Sequence, residues 1–171
     1  MSALNESESE SESEEKPKGK LYEMSVRGAK FREDFPIEML GEEVVISLAP
    51  LRDKKFLPIA AFLKDHLGMD EEEAIEQVEE AKEAAEEAGE DSIDISQMDK
   101  EFVVAMQKAA IHGIKGSYTD DDVLVEYDEN DAEGMVDMMV GGYSVEIGGK
   151  VLELSGDVRD ATKFRGSRGS V

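Results

Sequence analysis

Histidines and carboxylates are the side chains of this chain that could carry acid–base or metal chemistry. There are two histidines and 42 aspartates and glutamates, but no cysteine. His66 and His112 lie far apart in the sequence, each near the end of a predicted helix, where an imidazole can hydrogen-bond to the last carbonyl groups. No partner for general base catalysis stands beside either histidine. The absence of cysteine excludes disulfides, thiolate catalysis and cysteine-based zinc sites. We therefore expect no catalytic residue and no enzymatic activity.

Two acidic segments resemble the oxygen ligands of a calcium loop. An EF-hand loop needs a glycine at its sixth position and a glutamate at its twelfth. Counting from Asp128, these positions hold Glu133 and Met139, and counting from Asp120, the fifth position holds Leu124 instead of a ligand. The glycine-containing run 113–117 also lacks the pattern of a phosphate-binding P-loop. The sequence thus predicts no metal site and no cofactor.

The excess of acidic residues indicates a high-salt environment and does not point to a particular reaction. The formal net charge is -23 and the pI is about 4.3. Such a chain repels itself unless salt screens the charge, and the Debye length falls to roughly 3 Å at 1 M salt. The composition predicts a cytoplasmic protein of a salt-accumulating halophile, or of a virus infecting one. It disfavours nucleic acid and anionic membranes as partners.

Targeting and membrane segments are not expected. The N-terminus has neither a basic start nor an apolar stretch, which argues against a signal peptide. No apolar run approaches the roughly 20 residues that a membrane-spanning helix needs.

Composition divides the chain into three parts. Residues 1–20 alternate serine with glutamate and then turn lysine-rich, which predicts a disordered acidic tail. Residues 21–155 carry the apolar segments, so we expect one domain there. Residues 156–171 turn basic, at Lys163, Arg165 and Arg168 among others, and are expected to form a flexible tail.

The expected fold is α+β, with three to four helices and short β-hairpins. Segments 35–40 and 43–48, around a glycine-containing turn, predict a first hairpin. Alternation within Tyr143–Leu154, interrupted by two glycines, predicts a second hairpin. Residues 123–125 form a short predicted strand, and residues 115–122 a polar turn.

Helices are indicated by apolar residues at helical spacing and by capping residues. Pro58 complicates the start of the first helix, which is placed at Asp53 or nearer Phe56. Ser96 and Asp99 resemble a capping box in front of the third helix. The predicted helices cover residues 53–67, 71–88, 97–111 and 128–140.

A group of apolar side chains on two of these helices is the candidate binding site. It consists of Phe102 and Met106 on one helix and Met135, Met138 and Met139 on another. Flexible thioether side chains fill gaps in cores, but they also line surfaces that accept varied apolar partners. The spacing is compatible with an inward stripe, or with a groove for an amphipathic helix of another protein.

The order of elements resembles that of small tail assembly chaperones of tailed viruses. The resemblance runs from Phe35 to about Arg165. It includes an apolar β pair leading into Val44–Arg52, a core helix like Phe102–Ile114, and a short acidic-capped helix like Asp128–Val140. Members commonly carry a tryptophan after the core helix, where this chain has Ile114-Lys115-Gly116.

The resemblance implies a non-enzymatic role in the host cytoplasm, in a virus infecting a haloarchaeon. Such proteins coat apolar helical segments of the tape-measure protein until tail-tube subunits replace them, and some have a longer, frameshifted form. Homo-oligomerisation stays open. Three alternatives also remain: a structural virion component such as a head–tail connector or tail-completion protein, an acidic DNA-mimic inhibitor, and a haloarchaeal regulator.

Overall fold

A computed structural model describes residues 18–160 of the chain. Most of the predicted acidic tail and residues 161–171 of the predicted basic tail lie outside the described residues. The described residues divide into two units, with the division between Lys30 and Phe31. The first unit contributes one described helix, and the second contains the remaining helices and the sheet.

The described part of the chain is α+β, with six α-helices and one four-stranded antiparallel sheet. The expectation of three to four helices was therefore too low. In chain order the elements are α1 (Gly19–Ala29), β1 (Glu33–Met39), β2 (Glu42–Leu48), α2 (Asp53–Leu67), α3 (Glu71–Glu87), a 3₁₀ turn (Ile95–Gln97), α4 (Lys100–Gly113), β3 (Ile114–Tyr118), β4 (Leu124–Glu126), α5 (Glu129–Met138) and α6 (Tyr143–Arg159).

Helix α1 forms the described part of the first unit. It has no buried residue, and Leu21 is one of its exposed apolar side chains. The ammonium of Lys18 lies 4.8 Å from the centre of the Tyr22 ring, a cation–π contact at the start of the helix.

The first predicted hairpin is confirmed. Strands β1 and β2 pair antiparallel, with Met39 opposite Glu42 at the turn and Glu33 opposite Leu48 at the far end. Pro36 is tolerated because β1 is an edge strand of the sheet, where a missing N–H need not break a ladder.

Residues 115–122 were expected to be a polar turn, and this prediction was wrong for the first half of them, residues 115–118. Strand β3 pairs with β2 on one side and β4 on the other, and only the residues after Tyr118 form the turn. Gly116 is one reason why the sequence of this strand resembles a turn. A Cβ atom there would overlap the carbonyl oxygen of Val125, so the position requires glycine for close backbone approach.

The predicted short strand at 123–125 is present as β4, shifted by one residue. It forms the second edge of the sheet, and its side chains are exposed. Val123, Leu124 and Val125 are therefore apolar residues at an open edge, directly after the acidic turn 120–122.

The predicted hairpin at Tyr143–Leu154 was wrong, since this segment belongs to helix α6. Its buried residues cover most of the helix surface, and the charged residues Glu146, Lys150, Glu153 and Asp157 form the remaining stripe, which is only partly buried. The alternation in the sequence therefore comes from a wide buried face interrupted by this charged stripe, and not from a strand with two faces. The helix also extends to Arg159, so the boundary predicted at residue 155 falls inside it.

Glycines allow α6 to approach its neighbours. A Cβ atom at Gly148 would overlap the carbonyl oxygen of Met106 on α4. One at Gly149 would lie 2.8 Å from a methyl carbon of Val78 on α3. The two glycines that resembled a turn in the sequence are thus the contact points of three helices.

The four helices predicted between residues 53 and 140 are present as α2 to α5. Asp70 forms a capping box with Glu73 at the start of α3, and Asp128 forms one with Asp131 at the start of α5. The capping box predicted at Ser96 and Asp99 is absent. Asp94 instead accepts a hydrogen bond from the Ser96 N–H at 3.0 Å and opens the 3₁₀ turn.

Replacing Gly148 with alanine should destabilise the protein, because the new methyl group would meet the Met106 backbone and not a flexible side chain. We expect Gly148→Ala to lower the free energy of unfolding by about 3 kcal/mol in chemical denaturation. Gly134→Ala is the matched control, since Gly134 lies in α5 with open space around it. The control should raise stability by roughly 0.5 kcal/mol. Equal stability of Gly148→Ala and the wild type would contradict the close α4–α6 contact.

The interface between α3 and α6 also holds a partly buried ion pair. Lys82 Nζ lies 3.4 Å from Glu146 Oε1, an oxygen that solvent does not reach. Burial raises the pKa of Glu146, the Lys82 ammonium opposes this effect, and the charge of Glu86 adds to it. The ionised form of Glu146 is thus less favourable in the folded protein than in the unfolded chain.

A raised folded-state pKa makes Glu146 most stabilising below its ordinary value of 4.5, and the contribution is lost as the pH rises through the folded pKa. The free energy of unfolding of Glu146→Gln should therefore increase relative to wild type between about pH 4 and pH 7. Urea denaturation over a pH series measures this difference. For Lys82→Gln, the free energy of unfolding should decrease relative to wild type as the pH rises through this range, because the ammonium that favours ionised Glu146 is gone. A pH-independent difference for Glu146→Gln would contradict the prediction.

Candidate functional site

An apolar groove of about 290 Å³ opens between the β1–β2 hairpin, strand β3 and the C-terminal end of α5. Nine of its twelve lining residues are apolar, and the other three carry a hydroxyl group. The apolar residues are Met39, Leu40, Val44, Ile46, Ile114, Met135, Met138, Met139 and Val140, and the hydroxyl residues are Ser117, Tyr127 and Tyr143.

The hairpin turn forms one wall of the groove. Leu40 and Gly41 both have positive φ angles, 55° and 85°, as a two-residue hairpin turn requires. Glycine adopts this conformation freely, whereas for a leucine it costs about 1–2 kcal/mol. Leu40 is nevertheless 78% exposed, so its side chain recovers little of that cost by burial. Strain at an exposed apolar residue suggests a role other than stability.

A hydrogen bond fixes this turn against the last helix. The N–H of Leu40 donates to the hydroxyl of Tyr143 at 3.0 Å, and the Tyr143 side chain is buried at the first residue of α6. The strained turn is therefore positioned by the most buried helix of the fold.

Strands β2 and β3 form the floor of the groove. Ile46 and Ile114 are buried there. The hydroxyl groups of Ser117 and Tyr127 lie 2.6 Å apart and bond to each other. Because the polar atoms of the floor satisfy one another, they leave a mainly apolar surface for a ligand.

The end of α5 forms the second wall. Met138 is 73% exposed and Val140 is 64% exposed, while Met135 and Met139 are partly buried. Methionine side chains adapt their shape to different apolar partners.

Three of the five predicted binding residues meet in this groove. Met135, Met138 and Met139 line it together. Phe102 and Met106 do not, since both are fully buried in the core. Their expected contact with a partner is corrected for this reason: α6 covers the face of α4 that carries them.

Several groove residues escaped prediction. Leu40, Val140 and Tyr143 are lining residues that the sequence reasoning did not select. A signal existed for Leu40, because a leucine in the two-residue turn of a hairpin occupies a place that asparagine, aspartate or glycine prefer.

Exposed acidic side chains occur on the elements that form the groove. Glu38, Glu42 and Glu43 are exposed on the hairpin, with Glu38 directly opposite Glu43, and Asp137 is exposed on α5. Hairpin residues 33–48 contain no lysine or arginine. Glu42 pairs directly with Met39 and therefore shares the groove face of the hairpin, whereas Glu38 and Glu43 project from the opposite face. A basic group beside an apolar ligand would meet Glu42 at the edge of the groove.

The two histidines have structural contacts. His66 Nδ1 lies 3.2 Å from the Phe62 carbonyl oxygen, a contact with a backbone carbonyl near the end of the helix. The centres of the Phe62 and His66 rings are 4.2 Å apart, and the rings stack. His112 Nδ1 instead contacts the Glu129 carboxylate at 2.8 Å, so its expected bond to terminal carbonyls was wrong. Burial lowers the pKa of His112 and the Glu129 charge opposes this shift.

Between residues 18 and 160, no group of three or more histidine, aspartate or glutamate side chains is arranged to hold a metal ion. In the same range, no helix is long and apolar enough to cross a membrane.

Known proteins give no further guide to this site. No protein-family model, curated protein or solved structure matches the chain.

Relieving the strain at Leu40 should stabilise the protein. Leu40→Asn places a residue that tolerates positive φ in the turn and keeps the backbone N–H that Tyr143 accepts. We expect the free energy of unfolding to rise by about 1 kcal/mol, measured by thermal or urea unfolding. The same replacement at Leu57, which is exposed within α2, should lower stability by a few tenths of a kcal/mol. A destabilised Leu40→Asn would show that the leucine side chain contributes more to folding than the turn conformation costs.

Proposed function

We propose that this protein is a non-enzymatic binding module whose groove holds apolar side chains of a helical segment of another protein. The observation that carries the proposal is the apolar groove with two strongly exposed residues, Met138 and Val140, at its α5 wall. Exposed apolar residues that converge on one concave surface are typical of interaction sites.

A helical segment suits the groove in shape. Amphipathic helices place apolar anchors at positions i, i+3 or i+4, and i+7, and insert them into grooves of this kind. Methionines on one wall and an exposed leucine on the other can adjust to anchors of different size. The groove therefore favours a partner recognised by its apolar pattern more than by one particular side chain.

Charge restricts the partner further. The exposed Glu42 on the groove face of the hairpin, together with the acid excess of the chain, disfavours acidic sequences and favours a helix with lysine or arginine beside its apolar face. The net charge of -23 keeps the protein and its bound partner dispersed in solution. Holding an apolar segment in solution is the task of an assembly chaperone.

The specific form of the proposal is a tail assembly chaperone of a tailed virus that infects a haloarchaeon. Its partner would be the tape-measure protein, with tail-tube subunits as later partners, and its place the host cytoplasm. This rests on the resemblance in element order, and the groove supplies a surface for the binding step. A structural virion component could use the same groove. Mass spectrometry of purified particles separates the two, because a chaperone should be absent from finished virions.

A DNA mimic is a second candidate, favoured by a row of exposed glutamates along α3. The exposed glutamates are Glu72, Glu73, Glu76, Glu79, Glu80, Glu83, Glu86 and Glu87. Neutralising these residues and deleting residues 1–20 should abolish activity if the protein mimics DNA, and should leave apolar binding unchanged if it is a chaperone.

Charged substitutions in the groove should weaken binding without loosening the fold. The probe is a fluorescent synthetic helix with leucines at i, i+4 and i+7 and lysines beside them, followed by fluorescence anisotropy. Met138→Asp and Val140→Asp should each raise Kd at least about tenfold, since an aspartate would be desolvated by the bound helix. Both residues are exposed, so unfolding free energies should change by no more than about 0.5 kcal/mol.

Leu57→Asp is the matched control, because Leu57 is exposed on α2 and does not line the groove. It should leave Kd unchanged. Equal Kd values for Met138→Asp, Val140→Asp and the wild type would overturn the proposed function.

A further inference from the structure

A cluster of basic side chains stands out in this acidic protein. The basic cluster consists of Arg32, Arg52, Lys55, His112 and Lys115. Geometry brings them together: Lys55 and His112 contact the same Glu129 oxygen, Arg52 lies one helical turn before Lys55, and Lys115 follows His112 by three residues.

The strand register explains how these residues come together. Leu48, the last residue of β2, pairs with Glu33 on one side and with Ile114 on the other. Arg32 precedes Glu33 and Lys115 follows Ile114, so both lie at the same end of the sheet. Arg52 and Lys55 belong to the start of α2, four and seven residues beyond Leu48. This end of β2 is opposite to the hairpin turn that borders the groove.

The carboxylate of Glu129 lies within the basic cluster. Glu129 is in contact with His112 Nδ1 at 2.8 Å and with Lys55 Nζ at 3.6 Å. Its Oε2 atom makes both contacts, so this carboxylate is already shared between two cluster members.

Lys115 remains without an ion-pair partner among residues 18–160. Its side chain is partly buried on β3. Burial and the neighbouring cations lower the pKa of Lys115, while the Glu129 charge acts in the opposite direction. Arg52, at the surface next to it, makes no ion pair within the same range. A partly desolvated ammonium beside other cations is costly unless an anion compensates it.

We propose that the basic cluster binds a phosphate group, with Lys115 and Arg52 as its main contacts. A phosphate carries between one and two negative charges near neutral pH and offers several acceptor oxygens. The planar guanidinium of Arg52 can donate two parallel hydrogen bonds to such a group, and Lys115 supplies a compact charge. Free phosphate and the phosphate of a phosphoserine share this chemistry.

Isothermal titration calorimetry with inorganic phosphate tests the proposal, at constant ionic strength maintained with potassium chloride. We expect saturable binding to the full-length protein, and a rise in Kd of about tenfold or more in Lys115→Gln and in Arg52→Gln, each of which removes charge-assisted hydrogen bonds. Lys108→Gln is the matched control, since Lys108 is exposed on α4 outside the cluster, and its Kd should equal that of the wild type.

Backbone amide NMR provides an independent measurement, and it should show shifts at residues 113–116 and 52–55 on phosphate addition. Titration with O-phosphoserine identifies the source of the bound phosphate. A lower Kd for O-phosphoserine than for inorganic phosphate assigns the site to phosphorylated protein, and a higher Kd assigns it to free phosphate. Arg52 is exposed, so Arg52→Gln stays informative even if Lys115→Gln fails to fold. Absence of saturable binding, or equal Kd values for Arg52→Gln, Lys108→Gln and the wild type, would overturn the proposal.

Discussion

The arrangement of the second unit depends on how closely helix α6 packs against α3 and α4. Gly148 lets its backbone touch that of Met106, Gly149 admits Val78, and Gly113 of α4 receives the side chain of Val151. A side chain at any of these positions would move the helices apart, and Tyr143 would move with them. Since Tyr143 bonds to the Leu40 turn, backbone packing in the middle of the same helix helps to position that wall of the groove.

Charge and apolar surface are separated in this protein. Carboxylates occupy the outer faces of the helices and the hairpin, while the interior accepts very few of them, Glu146 beside Lys82 being one. The groove is the place where the apolar interior continues to the surface. Repulsion between carboxylates opposes the close approach of two acidic surfaces at low salt, and this effect does not extend to the apolar lining of the groove.

Local signals were enough to predict the elements that have one buried side and recognisable ends. The first hairpin and helices α2 to α5 belong to this class, because turn residues, caps and period are all readable in the sequence. Helix α6 was missed because its buried face is wide and its glycines imitate a turn, although Glu146, Lys150 and Glu153 mark its outer side at helical spacing. The same helix explains why Phe102 and Met106 proved to be core residues. Only the tertiary contact with α6 distinguishes them from Met135, Met138 and Met139, which carry the same apolar chemistry to the groove.

The edge formed by β4 has a consequence for association between copies. Three consecutive exposed apolar residues at the open edge of a sheet are a template for intermolecular sheet growth and fibril formation. Here the strand is only three residues long, Asp120, Asp121 and Asp122 precede it, and Asp128 follows closely. Two such edges could join only by bringing these aspartates together. The acidic turn that resembles a calcium loop thus acts as a gatekeeper against aggregation, and its protection weakens as salt concentration increases.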